Sequence, residues 1–175
     1  MRWRAGTLSK RRKWIGALVL LAWIGSGVAW LSTGPSRAHD GPITLEVSLS
    51  ARSLRVVDGD STVVTYEVAV GRPSNPTPTG TFETGDIVWN PSWTPPSSNW
   101  AANKHYQPPG AAANPMQGVK IYFQAPDLYI HGTNDPGSMG EAASHGCIRM
   151  IPDDAIALAH RIEDAGGHVP LIISP

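Results

Sequence analysis

The sequence predicts a mainly β domain, a mixed sandwich or barrel-like arrangement of short strands with one main C-terminal helix, preceded by an N-terminal hydrophobic helix. Three observations lead to this prediction. Several segments after residue 42 alternate apolar and polar residues with the period of two that is typical of strands. A single later segment has the period of a helix. The 175 residues also include 18 glycines and 16 prolines, a content that suits many turns better than long helices.

The first predicted strands form an antiparallel meander. Apolar and polar residues alternate at residues 43–49, and the pattern recurs at residues 54–57 and 62–70. Between the last two segments lies Asp58-Gly59-Asp60, a sequence typical of the turn that joins two hairpin strands. Further short strands are predicted at residues 81–89, 119–123, 128–131 and 169–173.

The main helix of the domain is predicted at residues 153–165. Four small or apolar residues recur there with helical spacing and define one buried face: Ala155, Leu158, Ala159 and Ile162. Gly166-Gly167 follows and is typical of a helix end, because glycine adopts the left-handed conformation that often terminates helices.

Residues 90–118 show neither the period of a strand nor the period of a helix. A stretch of 29 such residues inside a compact domain is usually a functional loop or a disordered one. Its tryptophan and proline content favours an ordered loop, and we expect a lid over a site. The alternative is that Trp93 and Trp100 plug the core from outside.

The N-terminal 38 residues carry the features of an export segment. Seven of the 14 Lys and Arg residues lie in this part, and most of them precede the uncharged residues 14–31. Residues 1–38 are therefore predicted to be a signal peptide that ends at Ala38. The alternative is a membrane anchor retained through residues 14–31. Either prediction places the remaining domain, residues 39–175, outside the cytoplasm, in the periplasm or cell wall.

That domain is acidic. All 14 Asp and Glu residues lie from Asp40 onward against seven basic residues, a net charge of about −7. Because phosphate binding requires a basic face, this balance argues against a nucleic-acid partner. The length, about 137 residues, suits one domain with its own core.

The chemistry of the chain is predicted at its only cysteine. Cys147 lies in the run Ser-His-Gly-Cys-Ile-Arg-Met at residues 144–150, and a thiol in an exported protein needs a reason. One possible reason is structural, because a free cysteine often packs in the core as a small hydrophobic residue. The flanking residues favour a nucleophile, and His131 in the Ile-His-Gly-Thr run ends a predicted strand from which it could serve as the base. A base and a thiol that converge across one loop fit acyl transfer through a thioester.

Residues 129–150, together with the Pro-Thr-Gly-Thr-Phe run at residues 78–82, resemble the L,D-transpeptidase catalytic domain. These cysteine enzymes crosslink bacterial peptidoglycan. The family signature is a histidine followed by Ser/Thr-His-Gly-Cys, a hydrophobic residue and often Arg-Leu/Met. The resemblance covers residues 43–175 and implies the nucleophile Cys147 and the base His131. One difference is Pro152, where many members carry Asn.

The resemblance also implies the reaction. The thiolate attacks the L-centre carbonyl of diaminopimelate in a tetrapeptide stem and releases D-alanine, and an amine of a second stem then takes the acyl group to give a 3-3 crosslink. The partners are thus peptidoglycan stem peptides, no cofactor or metal is required, and the oligomeric state stays open. With the same site, the acceptor could instead be water, as in an L,D-carboxypeptidase, or a lipoprotein lysine.

Three residues near the nucleophile are assigned supporting roles. Gly146 lets the backbone pass close to the substrate carbonyl, so that the Cys147 amide can bind the oxyanion. His145 shapes this oxyanion pocket or contacts substrate. Arg149 either binds a stem carboxylate or fixes the loop through a fork of hydrogen bonds.

Three further residues complete the predicted site. Gly132 and Thr133 are expected to hold the turn after His131, and Ser144 opens the nucleophile motif.

Two other classes of protein share part of this pattern. A sortase or wall endopeptidase also uses Cys and His, but the chain lacks the Thr-Leu-x-Thr-Cys run of sortases and the Cys-before-His order of common endopeptidases. A non-enzymatic wall-binding module would hold zinc with His131, His145 and Cys147, although the spacing of structural zinc sites is absent.

Overall fold

The computed structural model describes residues 42–126 and 128–175. The predicted signal peptide or anchor and the N-terminal hydrophobic helix lie outside these residues. None of the helices among these described residues has the length and apolar character needed to span a lipid bilayer.

The domain is mainly β, as predicted, with one α-helix among the described residues. The strands are β1 (Ile43–Ser48), β2 (Ser53–Asp58), β3 (Ser61–Glu67), β4 (Val70–Gly71), β5 (Gly80–Glu83), β6 (Ile87–Trp89), β7 (Gln117–Gln124), β8 (Leu128–Gly132), β9 (Ala142–Ser144), β10 (Ile148–Met150) and β11 (Pro170–Ser174). The helix α1 spans Pro152–Asp164, and short 3-10 helices span Asn99–Ala101 and Pro136–Ser138.

The strands form two main sheets and one small one. The first sheet has the order β3-β2-β1-β11-β5, and the second has the order β10-β8-β7-β6. The predicted meander is present, because β1 pairs antiparallel with β2 and β2 with β3. Asp58 pairs with Ser61 across the predicted turn, where Gly59 has a φ of +56°. The strand β11 returns parallel to β1, so the sheet is mixed.

Alternation along the strands builds the core. In β1 the side chains of Ile43, Leu45 and Val47 are buried, and the residues between them are half-buried. The predicted helix face is also buried, and α1 packs on β7 and β8 of the second sheet. Pro152 is the first residue of α1, where its missing N–H and fixed φ suit the helix start.

Two predicted strands were wrong in extent. Residues 81–89 form two strands in different sheets, because the Thr84 N–H donates to the Val169 carbonyl at 2.9 Å and the Gly85 N–H to the Tyr122 carbonyl at 2.6 Å. The chain therefore changes sheets between these residues. Residues 62–70 likewise divide after Glu67.

The residues that follow the end of β3 at Glu67 pair with the segment that carries the nucleophile. The backbones of Ala69 and Arg149 exchange hydrogen bonds of 3.0 and 2.8 Å. The strand β4 then pairs with β9. The end of the meander is thus joined to both sides of the Ser-His-Gly-Cys run.

The loop predicted at residues 90–118 is ordered by its own contacts and ends where β7 begins at Gln117. Trp93 and Gln107 exchange backbone hydrogen bonds of 2.9 Å. The buried Asn114 side chain donates to the carbonyls of Pro91 and Pro108 at 2.8 and 3.1 Å. These amide contacts fix the loop without regular secondary structure.

Candidate active site

Two parallel strands bring the predicted base next to the predicted nucleophile. The strand β10 pairs with β8 so that Arg149 lies opposite His131, and Cys147 immediately precedes β10. Ile148 and Ile130, which pair with each other, are fully buried in the core. Since side chains alternate between the faces of a sheet, His131, Arg149 and Cys147 share the opposite face. His131 and Cys147 line the same cleft of about 830 Å³.

His131 is held in one tautomer. Its Nδ1 lies 2.8 Å from the Gly132 carbonyl oxygen. A carbonyl only accepts hydrogen bonds, so in the neutral ring Nδ1 carries the hydrogen and Nε2 is the basic nitrogen.

Burial keeps this ring neutral. The side chain is 3% exposed, and loss of hydration is the main reason that the pKa of His131 falls from 6.5 to about 4. The positive charges of Arg149 and Lys120 lower it further, whereas hydrogen bonds that the ring donates to the backbone carbonyls of Gly132 and Pro115 oppose the shift. At neutral pH the ring is therefore unprotonated.

Hydroxyl groups hold the turn that carries the nucleophile. Ser144 is buried, and its Oγ accepts from the Gly146 N–H at 3.1 Å and donates to the Cys147 carbonyl at 2.5 Å. The Thr77 hydroxyl donates to the Gly146 carbonyl at 2.9 Å. Gly146 has a φ of +113°, which favours glycine, and an added Cβ would lie 3.0 Å from Leu128 Cδ2. The turn is fixed, and Cys147 is half-buried at the cleft.

Two guanidinium groups flank the turn. Arg149 lies with Nη1 3.9 Å from Asp135 Oδ2, and burial is the main cause that lowers the pKa of its guanidinium. Arg72 donates from Nε to the Ser144 carbonyl at 3.2 Å and from Nη2 to the Ala143 carbonyl at 2.8 Å. Both side chains line the cleft, and among the described residues no Asp or Glu lines it. The cleft is therefore positive within an acidic domain.

His145 connects the nucleophile turn to the 90–118 loop. Its ring stacks on the Trp100 indole with centroids 3.9 Å apart and planes 11° apart, and Trp93 stacks on the same indole at 6.5 Å. The pKa of His145 is lowered by loss of hydration and then by the charges of Arg72 and Arg149. Trp93 and Trp100 line the cleft, and Trp100 is 41% exposed, so neither indole plugs the core.

The last two predicted residues lie beneath the site. Gly132 is buried, and an added Cβ would meet the Gln117 carbonyl oxygen at 2.2 Å. Thr133 is 2% exposed; its N–H donates to the Met150 carbonyl at 3.0 Å, and its Oγ1 accepts from the Asp135 N–H at 3.1 Å. These contacts hold the end of β8 against β7 and β10.

The predicted zinc alternative finds no geometric support. Within residues 42–126 and 128–175, no three His, Cys, Asp or Glu side chains are grouped so that they could hold a metal ion.

Sequence reasoning missed Arg72 and Thr77. Both contact backbone carbonyls of the nucleophile turn about seventy residues away. Thr77 lies in an Asn-Pro-Thr-Pro-Thr-Gly run next to the residues that carried the resemblance, which is the only local signal.

Known proteins place the chain in a family. A family model described as the L,D-transpeptidase catalytic domain matches residues 42–172. The chain belongs to the L,D-transpeptidase catalytic domain family, as the resemblance predicted, and the sortase and endopeptidase alternatives are set aside.

Individual relatives are consistent with this family assignment. The chain is 36% identical over 118 residues to YkuD of Bacillus licheniformis. The aligned region covers 67% of this chain and 59% of that protein. The chain thus spans less than two thirds of the length of this relative. The catalytic domain of the E. faecium L,D-transpeptidase has the same fold, with a TM-score of 0.58 and 18% identity over 78% of this chain and 99% of that one. The structure of LdtMt1 in complex with imipenem also has a TM-score of 0.58, with 20% identity over 75% of this chain and 58% of that one.

Proposed function

We propose that the chain is an L,D-transpeptidase that forms 3-3 peptidoglycan crosslinks through a thioester on Cys147. The observation that carries this proposal is the parallel pairing of β8 with β10, which sets His131 and Cys147 on one face at one cleft. The neutral His131 ring adds the proton acceptor that an unionised thiol needs.

The first half of the reaction transfers the acyl group of the stem to the thiol of Cys147. Nε2 of His131 takes the thiol proton as sulfur attacks the L-centre carbonyl of the diaminopimelate at position three of the stem. A carbon–sulfur bond forms, and the carbonyl electrons move to oxygen, where the Cys147 N–H stabilises the oxyanion. Collapse of this intermediate breaks the peptide bond, and the departing amine of D-alanine takes the proton from His131.

The second half transfers the acyl group. An amine of a second stem attacks the thioester, its proton passes to His131, and the sulfur leaves and recovers that proton. Water would give a shortened stem in place of a crosslink. The stack of Trp93, Trp100 and His145 supports a cover over the site that favours the amine, because it lines the cleft beside the nucleophile.

The charge of the cleft suits the substrate. A tetrapeptide stem ends in a carboxylate, and Arg149 and Arg72 offer the only guanidinium groups among the described residues that line the cleft. Arg72 already donates to two carbonyls of the turn, so we assign it to the loop and assign Arg149 to the carboxylate.

The reaction requires a location outside the cytoplasm. Residues 1–38 are proposed to export the domain of residues 39–175, either as a cleaved signal peptide or as an anchor through residues 14–31. The site and its substrate then share the periplasm or cell wall.

Product analysis tests the function. The full chain, purified in mild detergent, is incubated with disaccharide tetrapeptides beside a Cys147→Ala variant, and products are identified by mass spectrometry. We expect crosslinked dimers and free D-alanine from the wild type only. Tripeptide stems without dimers would replace the transpeptidase with an L,D-carboxypeptidase, and unaltered substrate in both samples would contradict the proposal.

A further inference from the structure

We propose that Thr77 is a positioning residue that orients the oxyanion-binding amide of Cys147. This inference rests on the proposed thioester reaction. Thr77 is 3% exposed, and its Oγ1 accepts from the Gly71 N–H at 2.8 Å while it donates to the Gly146 carbonyl at 2.9 Å. A single buried hydroxyl therefore joins β4 to the residue before the nucleophile.

The geometry of one peptide unit transmits this contact to the site. The Gly146 carbonyl and the Cys147 N–H belong to the same planar trans unit, so they point in opposite directions. Thr77 pulls the carbonyl toward the buried side of the turn, while Cys147 lines the cleft. The N–H is thereby directed away from Thr77, toward the side on which a substrate carbonyl would be attacked.

The turn needs such a tether because its central residue is glycine. Gly146 lacks a Cβ to restrict its torsions, and its φ is +113°. Ser144 binds the N–H of Gly146 and the carbonyl of Cys147, but these atoms lie outside the peptide unit between the two residues. Thr77 donates to the carbonyl of that unit itself.

The fold brings Thr77 to this place through a close approach of backbone. An added Cβ on Gly71 would lie 2.3 Å from the Thr77 nitrogen, so only glycine lets the two segments meet. Gly71 in turn pairs with Ser144 across β4 and β9. The hydroxyl is thus held from one side by the same strand pair that holds the start of the nucleophile motif.

The test separates a reaction that develops an oxyanion from one that does not. Imipenem acylates a thiol by opening of its strained amide, which passes through an oxyanion, whereas iodoacetamide alkylates sulfur at a saturated carbon with loss of iodide. Both rates are measured on the full chain by intact-protein mass spectrometry. The variants are Thr77→Val, which keeps the shape, and Thr77→Ser, which keeps the hydroxyl.

A matched control is present in the chain. Thr84 is fully buried, and its Oγ1 accepts from the Val169 N–H at 2.9 Å, away from the cleft, so Thr84→Val removes a comparable buried hydrogen bond. We expect Thr77→Val to slow acylation by roughly 10- to 100-fold with alkylation near the wild-type rate, since removal of a whole oxyanion donor costs about 100-fold or more. Thr77→Ser and Thr84→Val are expected to keep the wild-type ratio of the two rates.

The outcomes are distinct. If wild-type Cys147 is alkylated but never acylated, the proposed function fails. If the wild type is acylated and Thr77→Val is acylated equally fast, the positioning role is overturned. Should Thr77→Val not fold, Thr77→Ser decides: a folded Thr77→Ser variant with a tenfold lower ratio of acylation to alkylation overturns the role, and a preserved ratio supports it.

Discussion

The buried imidazole of His131 makes the stability of the domain depend on pH. Its pKa is about 4 in the folded protein against 6.5 for an ordinary histidine. Between these two pH values the unfolded chain binds a proton at this residue that the folded chain does not bind. The stabilisation that comes with a neutral ring is therefore complete above pH 6.5 and is lost as the pH falls toward 4.

The size of the effect follows from the shift. A difference of about 2.5 pKa units corresponds to about 3 kcal/mol between pH 7 and pH 4. The comparison variant is His131→Asn, which does not titrate and whose amide nitrogen can still donate to the Gly132 carbonyl in place of Nδ1. Subtracting the unfolding free energy of the variant from that of the wild type at each pH cancels the contribution of the other titrating groups.

Urea unfolding of both proteins at several pH values between 7 and 4 measures this difference. We expect the stability advantage of the wild type over His131→Asn to fall by about 3 kcal/mol across that range. NMR titration of the His131 ring should show it neutral down to about pH 4. Equal pH slopes for the two proteins, or a ring that titrates near 6.5, would refute the assignment of a neutral buried base.

Two further substitutions test the turn and the loop. Gly146→Ala places a Cβ 3.0 Å from Leu128 Cδ2 at a φ of +113°, so we expect a loss of about 1–3 kcal/mol in unfolding free energy and at least a roughly tenfold slower acylation by imipenem. Gly166→Ala, with a φ of +106° and no atom within 4 Å of the added Cβ, is the control and should keep the acylation rate. Trp100→Ala removes the ring that stacks on His145, and the ratio of hydrolysed to crosslinked product should rise several-fold in the product assay. Trp89→Ala removes an indole of similar exposure outside the cleft, and an equal rise in that variant would count against the covering role of the loop.

Much of the fold was predictable because alternation along a strand records which face is buried. The strand at residues 43–49 and the face of α1 follow directly from such periodic patterns. Residues 81–89 divide into two strands because of hydrogen bonds with Val169 and Tyr122, which are distant in sequence. The strands β9 and β10 have three residues each, too few for a period to be recognised.

The sequence predicted the residues with reactive side chains better than the residues that support them. Cys147 and His131 stand out because their residue types carry chemistry and their runs match a family signature. Arg72 and Thr77 carry no such mark, since their partners are carbonyl groups that any residue could supply. The stack of His145 on Trp100 was also outside the reach of the sequence, because it depends on the path of an aperiodic loop.

Intact-protein mass spectrometry can detect the proposed thioester on Cys147. The full chain is mixed with a tetrapeptide stem and no added acceptor, quenched in acid within seconds, and the adduct is mapped by peptide analysis. The reaction described above predicts a mass gain equal to the stem less D-alanine, located on Cys147 and absent from Cys147→Ala. Release of D-alanine by the wild type without any adduct on Cys147, or with an equal release by Cys147→Ala, would contradict it.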